Sequence, residues 1–302
     1  MKPLVSIVIP THERPDYLAL ALKSVQHQTY ENLQIIIADN SIKHDVRAML
    51  AEQLQGDPRI TFLSKPTKGL IENWRNGLVH ATGEYVNLLM DDDLFHPRKV
   101  ERMVQAFAEV PSAGVVTSYR ELIDTAGQPL PPMQGTQRLF EKDTVLSGTE
   151  FGNFLLKNGQ NLVGEPTTAM YRRTDLVDGF GRFGERQYMV LTDLATWLKL
   201  MHGRHCVYLS EALSYFRIHE GQDQRQVRTA LHAQLEWLEL LLEAHRQGLY
   251  MTDKQELRAH VAAKLPRLVA FLAERAETIR EGDYDVQRIQ QLVKAGFDAI
   301  LH

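Results

Sequence analysis

The sequence predicts an α/β fold, a mostly parallel sheet with helices on both faces. Short β-branched runs alternate with helix-period segments through residue 118, and polar clusters close three of those runs. After Arg225 the alternation stops and long helical patterns take over.

Residues 4–9, LVSIVI, read as a buried strand that Pro10 ends. Residues 15–27 are helical, with Leu18, Ala21, Leu22 and Val25 on one face and Pro15 at the start, where its missing N–H is harmless. LQIIIA, 33–38, is a second strand, closed by Asp39-Asn40-Ser41, and a helix follows over about 44–55. Residues 59–63 form a third strand and 69–81 a helix, with Gly83 at its C-cap. EYVNLLM, 84–90, is a fourth strand that runs straight into Asp91-Asp92-Asp93. Pro97 opens a helix to about 109, and 114–118 is a fifth strand. The Pro- and Gly-rich stretch 125–138 reads as a loop. Next come a helix at 148–160, a strand at 163–171, and a helix at 192–202 with Leu194, Trp197, Leu198 and Met201 on its apolar side. Two short strands, 206–209 and 213–218, precede the helical tail, where Pro266 is expected to kink or begin a helix. The tail reads as a small bundle that buries its apolar face within the chain.

The chain has 302 residues, 44% hydrophobic and 24% charged, with a formal net charge of -4. No basic block or Arg/Lys stripe suggests nucleic acid. The single cysteine, Cys206, rules out an intramolecular disulfide and a Cys-rich zinc site, and its apolar surroundings make it a core residue. No apolar run reaches membrane-spanning length and no secretory leader is visible, so the cytoplasm is the expected location.

In a sheet of this kind ligands bind at the carboxyl ends of the strands. Three adjacent carboxylates there repel one another unless a cation or hydrogen bonds compensate. The spacing lets Asp91 and Asp93 face one divalent cation, Mg2+ or Mn2+, shared with substrate phosphates. Read alone, the triplet fits equally a solvated acidic turn that caps the next helix. Asp39 is placed to accept a hydrogen bond from a base or ribose, or to close a local turn. Thr11 can cap the first helix, or its loop can meet a nucleotide with Arg14 near the phosphates. Asp193 is either a helix-dipole carboxylate or a general base for an acceptor hydroxyl. His219 is a surface histidine or the imidazole of an Asp/His metal shell. Trp74 and Trp197 lie on apolar helix faces and read as core.

The ordered set resembles a known family. VSIVIPTHERPDYLALALKSVQHQTYENLQIIIADNS is similar to the opening of inverting family 2 glycosyltransferases, and GLIENWRNGLVHATGEYVNLLMDDDLFHPRKV to their central segment with its Asp-x-Asp motif. GEPTTAMYRR, TDLATWLKL and LSYFRIHEGQ resemble their acceptor half, in the family's order. The resemblance covers residues 4–224 and implies a GT-A fold, Rossmann-like, with a C-terminal helical appendage. It implies a catalytic domain over 1–224, divided into a nucleotide-sugar half to about 118 and an acceptor half from 119, with a helical region over 225–302.

By position, the resemblance implies that Thr11, Glu13 and Asp39 bind the nucleoside, with Arg14 beside them. Asp91, Asp92 and Asp93 would hold metal and donor diphosphate: Asp91 and Asp93, with His219, on the metal and Asp92 on the donor. Asp193 would be the catalytic base. Thr192 stands where many members carry Glu. The implied activity is metal-dependent, inverting transfer from a nucleotide-diphospho-sugar to a hydroxyl of a glycan, lipid-linked or protein acceptor, in surface polysaccharide or glycoconjugate assembly. Peripheral contact with the inner face of a membrane and dimerisation through the C-terminal helices are compatible partners' roles for the tail. A non-catalytic sugar-nucleotide-binding module is the rival reading. A sugar nucleotidyltransferase is disfavoured, because PTHERP has neither the glycines nor the lysine of a phosphate loop.

Overall fold

The structure, a computed structural model, describes residues 2–66, 69–220, 227–282 and 284–302. Strand β1 (Val5–Thr11) is followed by α1 (Pro15–Gln26), β2 (Leu33–Asp39), two single-turn helices α2 (Val46–Met49) and α3 (Ala51–Leu54), then β3 (Ile60–Ser64) and α4 (Leu70–Leu78). Next come β4 (Tyr85–Leu88), β5 (Leu94–Phe95), α5 (Lys99–Glu109), β6 (Ala113–Ile123), β7 (Pro129–Leu130), β8 (Thr144–Ser147) and α6 (Gly148–Asn158). The acceptor-side elements are β9 (Met170–Arg172), the hairpin β10 (Arg182–Phe183) and β11 (Arg186–Gln187), α7 (Thr192–Met201) and β12 (His205–Arg217). Four helices close the chain: α8 (Val227–Arg246), α9 (Lys254–Glu274), α10 (Ala276–Glu281) and α11 (Val286–Leu301).

The main sheet runs β3-β2-β1-β4-β9-β6-β12-β5, with β7 on β6 and β8 on β12. Neighbours from β3 to β4 are parallel, as are β6 and β12, while β9 is antiparallel to both β4 and β6. The predicted mostly parallel α/β sheet is therefore observed. Register explains where ligands can gather. Thr11 pairs with Asp39 and Val8 with Leu88, so β1, β2 and β4 end at one edge of the sheet.

Side chains alternate across β1. Val5, Ile7 and Ile9 join the core under α1 and α5, whereas Val8 joins the opposite core with Trp74, Val86 and α7. Helix α4 packs closely on the sheet because Gly77 has no Cβ; one added there would lie 2.5 Å from Val8 Cγ1. In the tail, Leu231, Leu235, Leu238, Leu241, Leu257, Val261, Leu265, Leu268 and Leu292 share one apolar cluster with Leu194, Trp197 and Leu198 of α7. The apolar face of the tail is buried within the chain.

Several local expectations change. The 44–55 helix is split at Leu50. Only 170–172 of the predicted 163–171 strand pairs, because Thr167 and Thr168 spend their hydroxyls on local and site contacts. The two strands at 206–209 and 213–218 are one strand, irregular between Leu209 and Ser214. Gly83 is no C-cap, since α4 ends at Leu78; its value is close approach, with an added Cβ meeting Ser6 N at 2.6 Å. The 125–138 loop contains β7, paired with Leu122 and Ile123. Pro266 lies inside α9 rather than at a helix start. The expected domain boundary at 224/225 lies outside the described residues.

Candidate active site

A cleft of about 790 Å³ opens at the carboxyl edge of β1, β2 and β4. One wall is the 10–14 loop with Asn40, Asn73 and Trp74; the floor carries Asp91 and Asp92; the far wall is built from Glu165, Pro166, Met189, Val190, Thr192 and Asp193. Its size suits a small-molecule ligand.

The 11–14 loop leaves β1 with Glu13 at φ 57°, a left-handed conformation uncommon outside glycine. Hydrogen bonds over-determine it. The Glu13 N–H donates to Ser41 Oγ at 2.7 Å, and Glu13 Oε1 accepts from the Ile42 and Lys43 amides at 2.7 and 2.8 Å. Those amides, then His44, hold the Glu13 carboxyl down at about 2. Asn73 Nδ2 donates to the Thr11 and Ala38 carbonyls, tying α4 to the ends of β1 and β2. Asp39 is buried at the end of β2 and its Oδ1 accepts from Ser41 N at 2.9 Å, so it closes the local turn.

The three aspartates take three different positions. Asp91 accepts from Thr11 Oγ1 at 2.8 Å and faces Arg14 Nη1 at 3.4 Å. Asp92 Oδ2 lies 3.0 Å from Arg14 Nη1 and 3.0 Å from His219 Nε2. Asp93 is fully buried; its oxygens accept from Thr167 Oγ1 at 2.6 Å and from the Arg217 amide at 3.0 Å. Asp91 and Asp93 were expected to share a cation with His219. The geometry instead groups His219 with Asp92, beside Asp91, and turns Asp93 inward because β12 supplies its donors from behind. Among the described residues no group of three or more His, Cys, Asp or Glu encloses a metal position.

Burial and then the Asp92 charge push the Asp91 carboxyl up to about 6, and raise Asp93 well above the carboxylate range. Such crowding of negative charge favours a cation. Asp92, His219 and Asp91 offer oxygen and imidazole donors to a Mn2+ or Mg2+ ion completed by phosphate oxygens, a fit for a shared site and not for an all-protein cage.

Asp193, in the first turn of α7, is half-buried in the far wall. Asn161 Nδ2 donates to its Oδ2 at 2.9 Å and the Leu194 amide to its Oδ1 at 2.7 Å. Burial, aided by the Glu165 charge, pushes its carboxyl up to about 7, a value suited to proton transfer near neutrality. Thr192 is buried against Gly181, where an added Cβ would meet its Cγ2 at 2.8 Å. Trp197 is core, with Nε1 on the Gly164 carbonyl; Trp74 is also buried but edges the cleft.

Sequence reasoning did not single out Glu165, Asn73, Lys99 or Arg217. Glu165 lines the cleft and is paired with Arg120 Nε at 2.9 Å; its signal was the GEPTT motif. Arg217 is buried, with Nε on the Asp92 carbonyl at 2.8 Å and Nη1 on the Asp124 carbonyl at 2.8 Å, which locks the acidic turn to β12. Lys99 is buried with Nζ on the Thr168 carbonyl at 3.0 Å; burial lowers its pKa well below the usual range. Cys206 is buried as expected, and burial pushes its thiol up to about 12.

The family described as glycosyl transferase family 2 matches residues 6–180, more than half of the chain and including the acidic turn. The chain belongs to that family. It is a glycosyltransferase. A glycosyltransferase of Rickettsia typhi, itself uncharacterized, is 26% identical over 257 residues, covering 84% of this chain and 74% of that protein. For other curated relatives the chain matches 23% or 30% of their length. TarS from S. aureus, residues 1–349 in complex with UDP-GlcNAc, superposes with a TM-score of 0.60 at 16% identity, covering 98% of this chain and 81% of that one. The mannosyltransferase PcManGT from Pyrobaculum calidifontis, in complex with GDP-Man and Mn2+, gives 0.57 at 16% identity over 100% and 88%. The fold is GT-A, with the helical region C-terminal to it. No helix among the described residues is long and apolar enough to cross a membrane.

Proposed function

We propose that this glycosyltransferase takes its sugar from a nucleotide-diphospho-sugar and transfers it to an acceptor hydroxyl with inversion. The observation that carries the reading is the single cleft lined by Arg14, Asp91 and Asp92 on one side and Asp193 on the other. The solved TarS and PcManGT complexes with sugar nucleotides support it.

In this reading Thr11, Glu13, Asp39 and Asn73 shape the nucleoside pocket, and Arg14 leaves its carboxylates to meet the diphosphate. Asp92, with Asp91 and His219, would hold a divalent cation, which when bound neutralises charge on the diphosphate. Asp93 orients the turn from below. Asp193 takes the acceptor proton as the acceptor oxygen bonds to the anomeric carbon. The bond from that carbon to the diphosphate breaks on the opposite face, so configuration inverts. The acceptor is a glycan, a lipid-linked saccharide or a protein, in surface polysaccharide or glycoconjugate assembly. We assign catalysis to 1–224 and retain 225–302 as a helical region, in a cytoplasmic protein able to touch a membrane or a second copy through that region.

The test is a thermal-shift screen of UDP-GlcNAc, UDP-glucose and GDP-mannose with and without Mn2+, followed by measurement of released nucleoside diphosphate. A stabilising donor that also turns over is expected. Stabilisation without release would leave a binding module, and stabilisation by none of the three would reject these donors.

A further inference from the structure

Helix α7 carries Asp193 in its first turn, yet the residue before it, Leu191, has no side chain able to cap. The first amides of a helix need partners from outside it. They come from α8. Glu236 is fully buried, and its Oε1 accepts from the Met189 amide at 2.8 Å. Its Oε2 accepts from Val190 and Leu191 at 2.9 and 2.8 Å. One carboxylate thus binds three successive N–H groups immediately ahead of Thr192 and Asp193. Met189, Val190, Thr192 and Asp193 all line the cleft, and α8 itself contributes Thr229 to it.

Glu236 is held in turn. Glu239, one turn further along α8, pairs with Arg186 of the β10–β11 hairpin and with Arg288 of α11, the latter at 2.7 Å. The hairpin, α8 and α11 therefore form one buttress behind the 189–191 turn.

We infer that Glu236 is a positioning residue for Asp193, so that the C-terminal helices complete the active site. The inference rests on the reading of Asp193 as base. A carboxylate suits the task because its two oxygens offer about four lone-pair sites for three donors, and its charge complements the helix N-terminus. A glutamine of the same shape has one acceptor oxygen and turns an NH2 toward an N–H. Misplacement of a base by about 1 Å can cost roughly 100-fold in rate.

The test uses the full chain with Glu236→Gln, Glu236→Asp and a control, Leu265→Ala, which opens a cavity in the same bundle. Hydrogen–deuterium exchange across residues 188–194 is read first. Turnover of whichever of UDP-GlcNAc, UDP-glucose or GDP-mannose is a donor is read second, as kcat, KM and pH profile. Glu236→Gln is expected to speed exchange at 189–191 and to lower kcat by about 10- to 100-fold with donor KM changed less than about threefold. Its acid limb should move down by about one unit, because Asp193 gains water while Glu165, the charged group that faces it, is unchanged. Glu236→Asp, which keeps the charge, should recover part of kcat. Leu265→Ala should lower the Tm and leave the limb in place. Glu236→Gln with wild-type kcat and limb overturns the inference, as does a loss of kcat with an unmoved limb, the mark of a structural role alone. If wild type turns over no donor, the proposed reaction fails separately; unchanged exchange at 189–191 still refutes the anchor and faster exchange upholds it.

Discussion

The acidic turn after β4 and the Asp193 turn before α7 both present carboxylates to one cleft, but they are built by different means. Asp91, Asp92 and Asp93 sit at the end of a parallel strand. Thr11 reaches Asp91 because β1 and β4 are in register, and Arg217 and His219 follow from β12. Asp193 has no such strand behind it. Its turn is held by Asn161 on one side and by Glu236, from a helix beyond the sheet, on the other. A site at a sheet edge inherits its precision from backbone pairing. A site at a helix start depends on whatever packs against it. The comparison predicts that binding and chemistry separate between the two turns.

The sharpest way to break that separation is Asp193→Asn. It keeps the shape of the side chain and removes the base, so transfer should fall by about 100- to 10,000-fold. The thermal shift given by a bound sugar nucleotide should persist, because none of Asp91, Asp92 or Arg14 is touched. A variant that transfers sugar at the wild-type rate would remove Asp193 from the chemistry, and one that also loses the shift would merge the two turns.

Asp93→Ala tests the acidic turn as structure. It leaves the Thr167 hydroxyl and the Arg217 amide buried without their acceptor. Each such group costs about 1–3 kcal/mol, offset in part by removal of a buried carboxylate. A net loss of about 2–3 kcal/mol is expected in urea unfolding. Asp92→Ala, at the cleft surface, should change stability by less than about 1 kcal/mol and chiefly impair donor binding. Equal losses of stability would mean that the three aspartates share one role.

Much of this arrangement is legible in the sequence, for reasons that differ by residue. Thr11, Arg14, Asp91 and Asp92 are readable because hydrophobic runs mark the strands and polar residues end them at one edge. The separate fates of adjacent Asp92 and Asp93 are not readable. They depend on which way a turn points each side chain, and β12, more than a hundred residues later, supplies the donors that decide it. Glu165 is hidden because 163–169 reads as strand although its polar groups are committed to a turn and to the site. Glu236 is hidden for a further reason: within LHAQLEWLELLLEAH a glutamate looks like the polar face of an amphipathic helix, and only packing shows it fully buried.

The smallest expected effect compares the two turns by pH. Burial raises the Asp193 carboxyl from 3.8 to about 7, so the folded chain binds a proton there that the unfolded chain has released. The contribution of this group is therefore fully present below about pH 4 and is lost as pH rises through about 7. Asp193→Asn cannot ionise. Relative to wild type it should gain stability between pH 5 and pH 8, by about 1–2 kcal/mol once the open cleft screens part of the effect. Glu13 runs the other way: its carboxyl is held at about 2, so its contribution is present above about pH 4.5 and vanishes only as pH falls through 2. Urea unfolding of wild type, Asp193→Asn and Glu13→Gln at pH 5 and pH 8 checks both signs. Glu13→Gln should be destabilised equally at the two values, whereas the Asp193→Asn difference should grow with pH. A constant Asp193→Asn difference would mean that its carboxyl titrates in the ordinary range, and the far wall would then owe its acid–base character to substrate alone.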